Sequence, residues 1–226
     1  MMPFSILYEN SEILLINKPN GVSVQGGAGI SHPLDETLSE QLGYKIHLVH
    51  RLDKETAGIL IVAKNAPAAA KWTKLIAGDD VQKEYYAVCI GTPVVNGKNK
   101  TKGVLSGTVE AHGRTQEAQT FFEVEKTGTV SVPNSDLEGV ELSLVHITLG
   151  TGRMHQIRIQ MAKAGAPLAA DDQHGNFKLN KILRKCGIKK LQLAAVRLTI
   201  PVDGKPRTFE IPLPEHIQKT VNILDL

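Results

Sequence analysis

The sequence predicts an α+β fold, on three observations. Strand-like runs outnumber helical ones, the two kinds do not alternate regularly, and no repeat, low-complexity tract or linker divides the chain. A doubly wound parallel sheet needs regular alternation of strand and helix, so the pattern speaks against it. One domain spanning residues 1–226 is the expected organisation.

The elements follow in order. Ile6–Tyr8 and Ile13–Asn17 read as short strands, the second ending at the turn Lys18-Pro19-Asn20-Gly21. After the loop Gly26-Gly27-Ala28-Gly29, Leu34, Leu38 and Leu42 recur at helical spacing between the boundary residues Pro33 and Gly43. Ile46–Val49 reads as a strand leading into His50–Asp53. Gly58–Lys64 is too short and too uniformly apolar for a surface helix and reads as a buried strand. Ala66–Ala77 is helical, capped by Asn65 and stopped by Gly78. Val81–Ile90 is a strand. Val104–Val124 is a hairpin turning at His112-Gly113, Asn134–Gly139 a loop, and Glu141–Leu149 a further strand. Met154–Ala164 reads as a helix, because Ile157, Met161 and Ala164 share a face and Gly165 and Pro167 block continuation. The alternation within MHQIRIQM offers a strand as the competing reading. Leu191–Ile200 and Arg207–Ile211 close the fold across Asp203-Gly204.

Composition narrows the function. Hydrophobic residues make up 42%, enough for a core, and aromatics only 4%, too few for a wide base-stacking platform. The net charge of +3 is compatible with a polyanionic partner if the basic residues gather on one face. Cys89 and Cys186 stand in no metal-ligand or CxxC spacing, which fits a reducing compartment. No apolar run is long enough to span a bilayer and no leader precedes the first strand, so a cytoplasmic protein without membrane contact is expected.

Two segments could carry chemistry. In His50-Arg51-Leu52-Asp53-Lys54-Glu55-Thr56, charged groups sit between two apolar strands. A carboxylate at the rim of a core needs a cationic partner, or else the loop is solvated and Asp53 merely caps a turn. In Leu149-Gly150-Thr151-Gly152-Arg153-Met154-His155-Gln156-Ile157-Arg158, a glycine turn opens a helix. Arg153, His155 and the free N–H groups of that helix end could hold a phosphate, or could be ordinary solvated residues. The Gly26–Gly29 loop lacks both the Lys-Ser/Thr ending of a P-loop and the frame of a dinucleotide fingerprint.

Together these segments resemble the RluA-type pseudouridine synthases. HRLDKETAGILIVAKN is similar to the family stretch H-R-L-D-x-x-T-S-G followed by apolar residues and Ala-Lys. GTGRMHQIRIQMAKAGAPLAAD resembles G-R-T-H-Q-I-R followed by G-x-P and an aspartate. Lys18-Pro19-Asn20-Gly21 is like the K-P-x-G element, and Lys83-Glu84-Tyr85-Tyr86-Ala87 like K-x-Y-x-A. The resemblance runs from about Ile6 to Pro214 and has four motifs in order.

The resemblance implies the pseudouridine synthase fold, a central mixed, mainly antiparallel sheet with flanking helices and an active-site cleft. It implies isomerisation of specific uridines in ribosomal or transfer RNA. Asp53 matches the catalytic aspartate that takes part in detaching uracil from C1′, as nucleophile or base. Tyr85 matches the tyrosine packed on the everted uracil, and Arg158 the basic residue pairing with the aspartate. Ile157 matches an apolar neighbour of the ring, and Arg51 the arginine that fills the gap in the RNA stack. His155, Arg153 and Lys18 join the substrate-binding set. The target atoms are inaccessible in a stacked helix, so the nucleotide must be flipped out. No redox or phosphoryl step occurs, so neither cofactor nor metal is expected.

The chain departs from the family pattern at Ala57, Met154, Ala170, His174 and Ala194, where serine, threonine or serine, glycine, tyrosine and histidine are usual. An N-terminal S4 RNA-binding domain, common among relatives, is not expected. RNA contact then falls to the catalytic domain, with Asn96–Gly103 and Lys178–Lys190 as basic candidates. A monomer is the default state. Two other readings stay open: an RNA-binding module or chaperone without chemistry, and a glycoside hydrolase using Asp53 with a second acid such as Glu55 or Asp171.

Overall fold

The computed structural model describes residues 4–111, 113–133 and 139–224. Along the chain the elements are β1 (Ser5–Glu9), β2 (Ile13–Lys18), α1 (Leu34–Leu42), β3 (His47–Leu48), β4 (Ala57–Ala63), α2 (Ala66–Ala77), β5 (Gln82–Ile90), β6 (Val94–Val95), β7 (Lys98–Asn99), β8 (Lys102–Ala111), β9 (Arg114–Val130), β10 (Val140–Leu149), α3 (Gln156–Lys163), α4 (Phe177–Lys185), β11 (Leu193–Val202), β12 (Lys205–Glu210) and α5 (Glu215–Ile223). The α+β expectation holds. The chain forms two compact units, one of residues up to 83 with 195–212, the other of 84–194 with 213 onward.

In the first unit the strand order is β1-β2-β4-β11-β12, and β3 also pairs with β4. The pairs β1/β2, β2/β4, β3/β4 and β11/β12 are antiparallel. Ile13–Ile16 and Ile59–Ala63 are buried without break, which is why both runs lack the alternation of a half-exposed strand. Register sets Lys18 opposite Gly58, so the end of β2 meets the start of β4. Gly58 has φ +116, and a Cβ there would lie 2.1 Å from the carbonyl oxygen of Ala195, so only glycine fits. The α2 cap is as expected: the Asn65 side chain accepts the N–H of Ala68 at 2.9 Å. Trp72 of α2 is fully buried and donates to Glu12 at 2.8 Å.

In the second unit the order is β5-β10-β9-β8, antiparallel throughout. The expected hairpin is β8–β9, but its second arm continues to Val130, past the expected end at Val124. Of the expected turn, His112 lies outside the described residues and Gly113 has φ +70. The expected 134–139 loop also lies outside them, except for Gly139. Three elements were not anticipated: the small β6–β7 hairpin, whose turn is Asn96-Gly97 with both φ values positive, the α4 boundaries, and α5.

The Met154–Ala164 segment is helical, so the strand alternative fails. Both faces of the helix are engaged. Ile157, Met161 and Ala164 are buried as expected, but so are Gln156, Arg158 and Gln160. Gln160 accepts from the Thr120 hydroxyl at 2.6 Å and donates to the carbonyls of Leu105 and Ala118. Gln156 donates to Gln119 and Thr120. These two glutamines, one turn apart, fasten α3 to β8 and β9 through hydrogen bonds. That polar buried face is what made the segment alternate like a strand.

Candidate active site

In the first unit, two loops are laced together. Lys18 is fully buried, and its ammonium donates to the carbonyls of Pro19 at 3.1 Å, Val22 at 2.8 Å and Lys54 at 3.1 Å. An ammonium has three donors, and all three are spent on backbone. Burial pushes its pKa down to about 8, against the opposing pull of Glu55 and Asp53. The N–H of Gly21 also donates to Lys54, and the Asn20 amide donates to the carbonyl of Glu55. The N–H of Thr56 closes a turn onto the carbonyl of Asp53 at 3.0 Å. This geometry makes Lys18 a clamp under the 53–56 turn.

His50 fixes the other end of the loop. Its Nε2 accepts the N–H of Ile61 in β4 at 2.9 Å, so the ring proton sits on Nδ1. Desolvation and the charge of Lys83 lower its pKa to about 3, and the ring is neutral at physiological pH. Between these anchors Leu52 is buried, Arg51 exposed and Asp53 half-buried. A side chain that turns inward between two that do not leaves Arg51 and Asp53 to the same side.

The second unit holds Tyr85, Arg153, His155, Ile157 and Arg158. Tyr85 is buried in β5, opposite Ile147 of β10. Arg158 of α3 is buried and makes a two-pronged pair with Asp171, Nε to Oδ2 at 2.8 Å and Nη2 to Oδ1 at 2.7 Å. Nη2 also donates to Gln173. Asp171 accepts the N–H groups of Gln173 and His174 at 2.9 and 3.0 Å. Burial raises the Asp171 pKa, but the Arg158 bonds and the two backbone N–H groups outweigh it and hold it below the usual range. Asp171 is the partner of Arg158 that sequence reasoning undervalued. The signal was there, as the aspartate closing the second motif.

The residues around this pair are set by backbone geometry. Ala170 has φ +59, a left-handed conformation that costs an L-residue about 1 kcal/mol and explains why glycine is usual there. Gly175 is forced, since a Cβ would lie 2.2 Å from the Asp171 carbonyl oxygen. His155 precedes α3 with φ +51, and so stands outside the helix rather than sharing a face with Arg158. Its Nδ1 lies 2.9 Å from Nε2 of His174, the histidine standing where tyrosine is usual. Arg153 is exposed and donates to the carbonyl of Glu117. The side-chain oxygen of Gln156 accepts the N–H of Arg153 and the hydroxyl of Thr151, so the turn is closed by a glutamine. Among the described residues no group of His, Cys, Asp or Glu could hold a metal ion.

Comparison with known proteins matches residues 12–163 to the model of the RNA pseudouridylate synthase family. The chain is 32% identical to the ribosomal large subunit pseudouridine synthase C of Salmonella typhi, over 97% of this chain and 69% of that protein. The same values hold for the protein of that name from Escherichia coli K12. Among solved structures, human RNA pseudouridylate synthase domain containing 4 superposes with a TM-score of 0.75 at 21% identity, over 98% of this chain and 93% of that one. Human RNA pseudouridylate synthase domain containing 1 gives 0.70 at 21% identity, over 100% and 98%.

Proposed function

Because the chain belongs to the RNA pseudouridylate synthase family, and is an RNA pseudouridine synthase, we propose that Asp53 carries its chemistry and that both units act as one catalytic domain. The observation that supports this reading best is the clamp under Asp53. The loop around it is held by Lys18 on the Lys54 carbonyl, Asn20 on the Glu55 carbonyl and His50 on the Ile61 N–H, while Asp53 itself is half-exposed. A group that must meet a ribose carbon needs that combination of access and fixed position.

In this reading a uridine flipped from its RNA stack meets Asp53 at C1′. The C1′–N1 bond breaks, the freed uracil turns, and C1′ bonds to C5. The C5 hydrogen leaves to solvent and N1 gains a proton, so atoms balance without an oxidant or metal. Tyr85 and Ile157 flank the uracil, and Arg51 holds the vacated place in the stack. Arg158 takes the role of the basic residue that the family resemblance assigns beside the aspartate. Asp171 and Gln173 engage the Nε and Nη2 side of its guanidinium and so fix its plane. The relatives' names support large-subunit ribosomal RNA as the substrate class ahead of transfer RNA. RNA substrates and two free cysteines support a cytoplasmic setting, and a monomer is taken as the working form. Among the described residues no helix is long and apolar enough to cross a membrane.

The test is Asp53→Asn. It is expected to melt within a few degrees of the parent yet release no detectable tritium from RNA labelled at uracil C5. Release near the parent rate would overturn the assignment.

A further inference from the structure

The stretch from Gln173 to Val202 holds seven Lys and Arg and no Asp or Glu. The whole chain has 26 basic and 23 acidic residues, so everything outside this stretch is net acidic. Helix α4 organises the excess. Lys178, Lys181 and Lys185 are exposed at spacings of three and four, which puts them in one stripe about 10 Å long. Lys189 and Lys190 are exposed just beyond the helix. Among the described residues Lys178, Lys181 and Lys185 form no salt bridge, whereas Arg184 of the same helix pairs with Asp172, and Lys190 feels the charge of Glu215. Phe177 opens the helix with 59% of its surface exposed, the highest value among the large hydrophobics described as exposed. An aromatic ring in water beside a row of ammonium groups has the makeup of a base-stacking contact next to phosphate contacts.

The opposite face of α4 is fixed to the Arg158–Asp171 pair. Asn180 is fully buried, accepts the N–H of Ala170 at 3.0 Å and donates to the carbonyl of Asp171 at 2.8 Å. Leu183 is fully buried beside it. A load on the lysine stripe is therefore borne by the backbone that holds Asp171. The other basic candidate, residues 96–103, is partly neutralised. Lys102 there already pairs with Glu123 at 2.8 Å.

The geometry points to the exposed face of α4, with Phe177, Lys178, Lys181 and Lys185, as the docking surface for an unpaired RNA segment. Lysines meet phosphates as point charges, so this face supplies affinity and register rather than base choice. Phe177 stacks on one base, which requires a strand not already stacked in a duplex. The inference rests on the reading of the chain as an RNA-modifying enzyme, and its test separates the two.

The full chain carrying Lys178→Ala, Lys181→Ala and Lys185→Ala is titrated with a labelled stem-loop RNA at several salt concentrations. Affinity is expected to fall at least tenfold, and the slope of log K against log salt to drop by about 2, since each single-strand phosphate contact contributes roughly 0.7. KM for RNA rises in parallel. Phe177→Ala is expected to weaken binding without changing the slope. Unchanged affinity and slope in the triple variant would overturn the proposal. So would an equal loss in Lys98→Ala/Lys100→Ala, or a triple variant that loses binding only to phosphatidylserine vesicles. A parent protein that binds RNA through α4 but releases no tritium would sink the isomerase reading alone. An active parent matched by the triple variant would sink this one alone.

Discussion

Lys18 and His50 hold the loop that bears Asp53 through hydrogen bonds to backbone groups. The clamp predicts that Lys18→Met leaves three carbonyls without their cationic donor and loosens the turn bearing Asp53. Turnover should fall tenfold or more with little change in KM, and an unaltered turnover number would contradict the clamp. The lysine also links stability to pH. Its folded pKa is lowered from 10.5 to about 8, so between those values the unfolded chain holds more protons. Stability contributed through Lys18 thus grows as pH rises across that window, and the parent should gain on the Met variant there. His50 works at the acid end. Its folded pKa is lowered from 6.5 to about 3, so the unfolded state again binds more protons and stability is lost as pH falls from 6.5 towards 3. His50→Gln keeps an acceptor for the Ile61 N–H and removes the titration. Urea unfolding at pH 7, 5 and 4 should show a shallower loss in that variant, and equal losses would count against a neutral buried imidazole.

At the scale of elements, α3 is the helix that carries Ile157 and Arg158. It is short, eight residues, and too short to be stable through its own hydrogen bonds. Its attachment is tertiary, through Ile157 and Met161 on one side and the glutamine zipper on the other. Gln160→Leu preserves volume but removes the acceptor of the fully buried Thr120 hydroxyl and the donor to the Leu105 and Ala118 carbonyls. A loss of about 2 kcal/mol is expected, read by chemical denaturation, because a buried group left without its bond bears its full desolvation cost. A change below about 0.5 kcal/mol would mean that the zipper contributes nothing net. The strand-like alternation of this segment and its helical outcome share one cause: polar residues used for burial.

For the whole molecule, the charge is distributed unevenly along a chain whose net value is only +3. Global composition hid this, and the run without acids revealed it. In cells lacking the gene, a pseudouridine map of large-subunit ribosomal RNA should lose a small number of sites. The parent sequence should restore them and Asp53→Asn should not, and an unchanged map would redirect the search to other RNA. Much of this protein was legible in the order of its residues. The buried strands β2 and β4, the Asn65 cap, the four motifs and the family they mark depend on local pattern, which the chain carries in itself. What only the tertiary structure decided was who meets whom across long separations. Lys18 reaches Lys54, Arg158 takes Asp171, and Asn180 ties α4 to that aspartate. A buried charge must find its partner wherever folding brings one, and no spacing along the sequence records that choice.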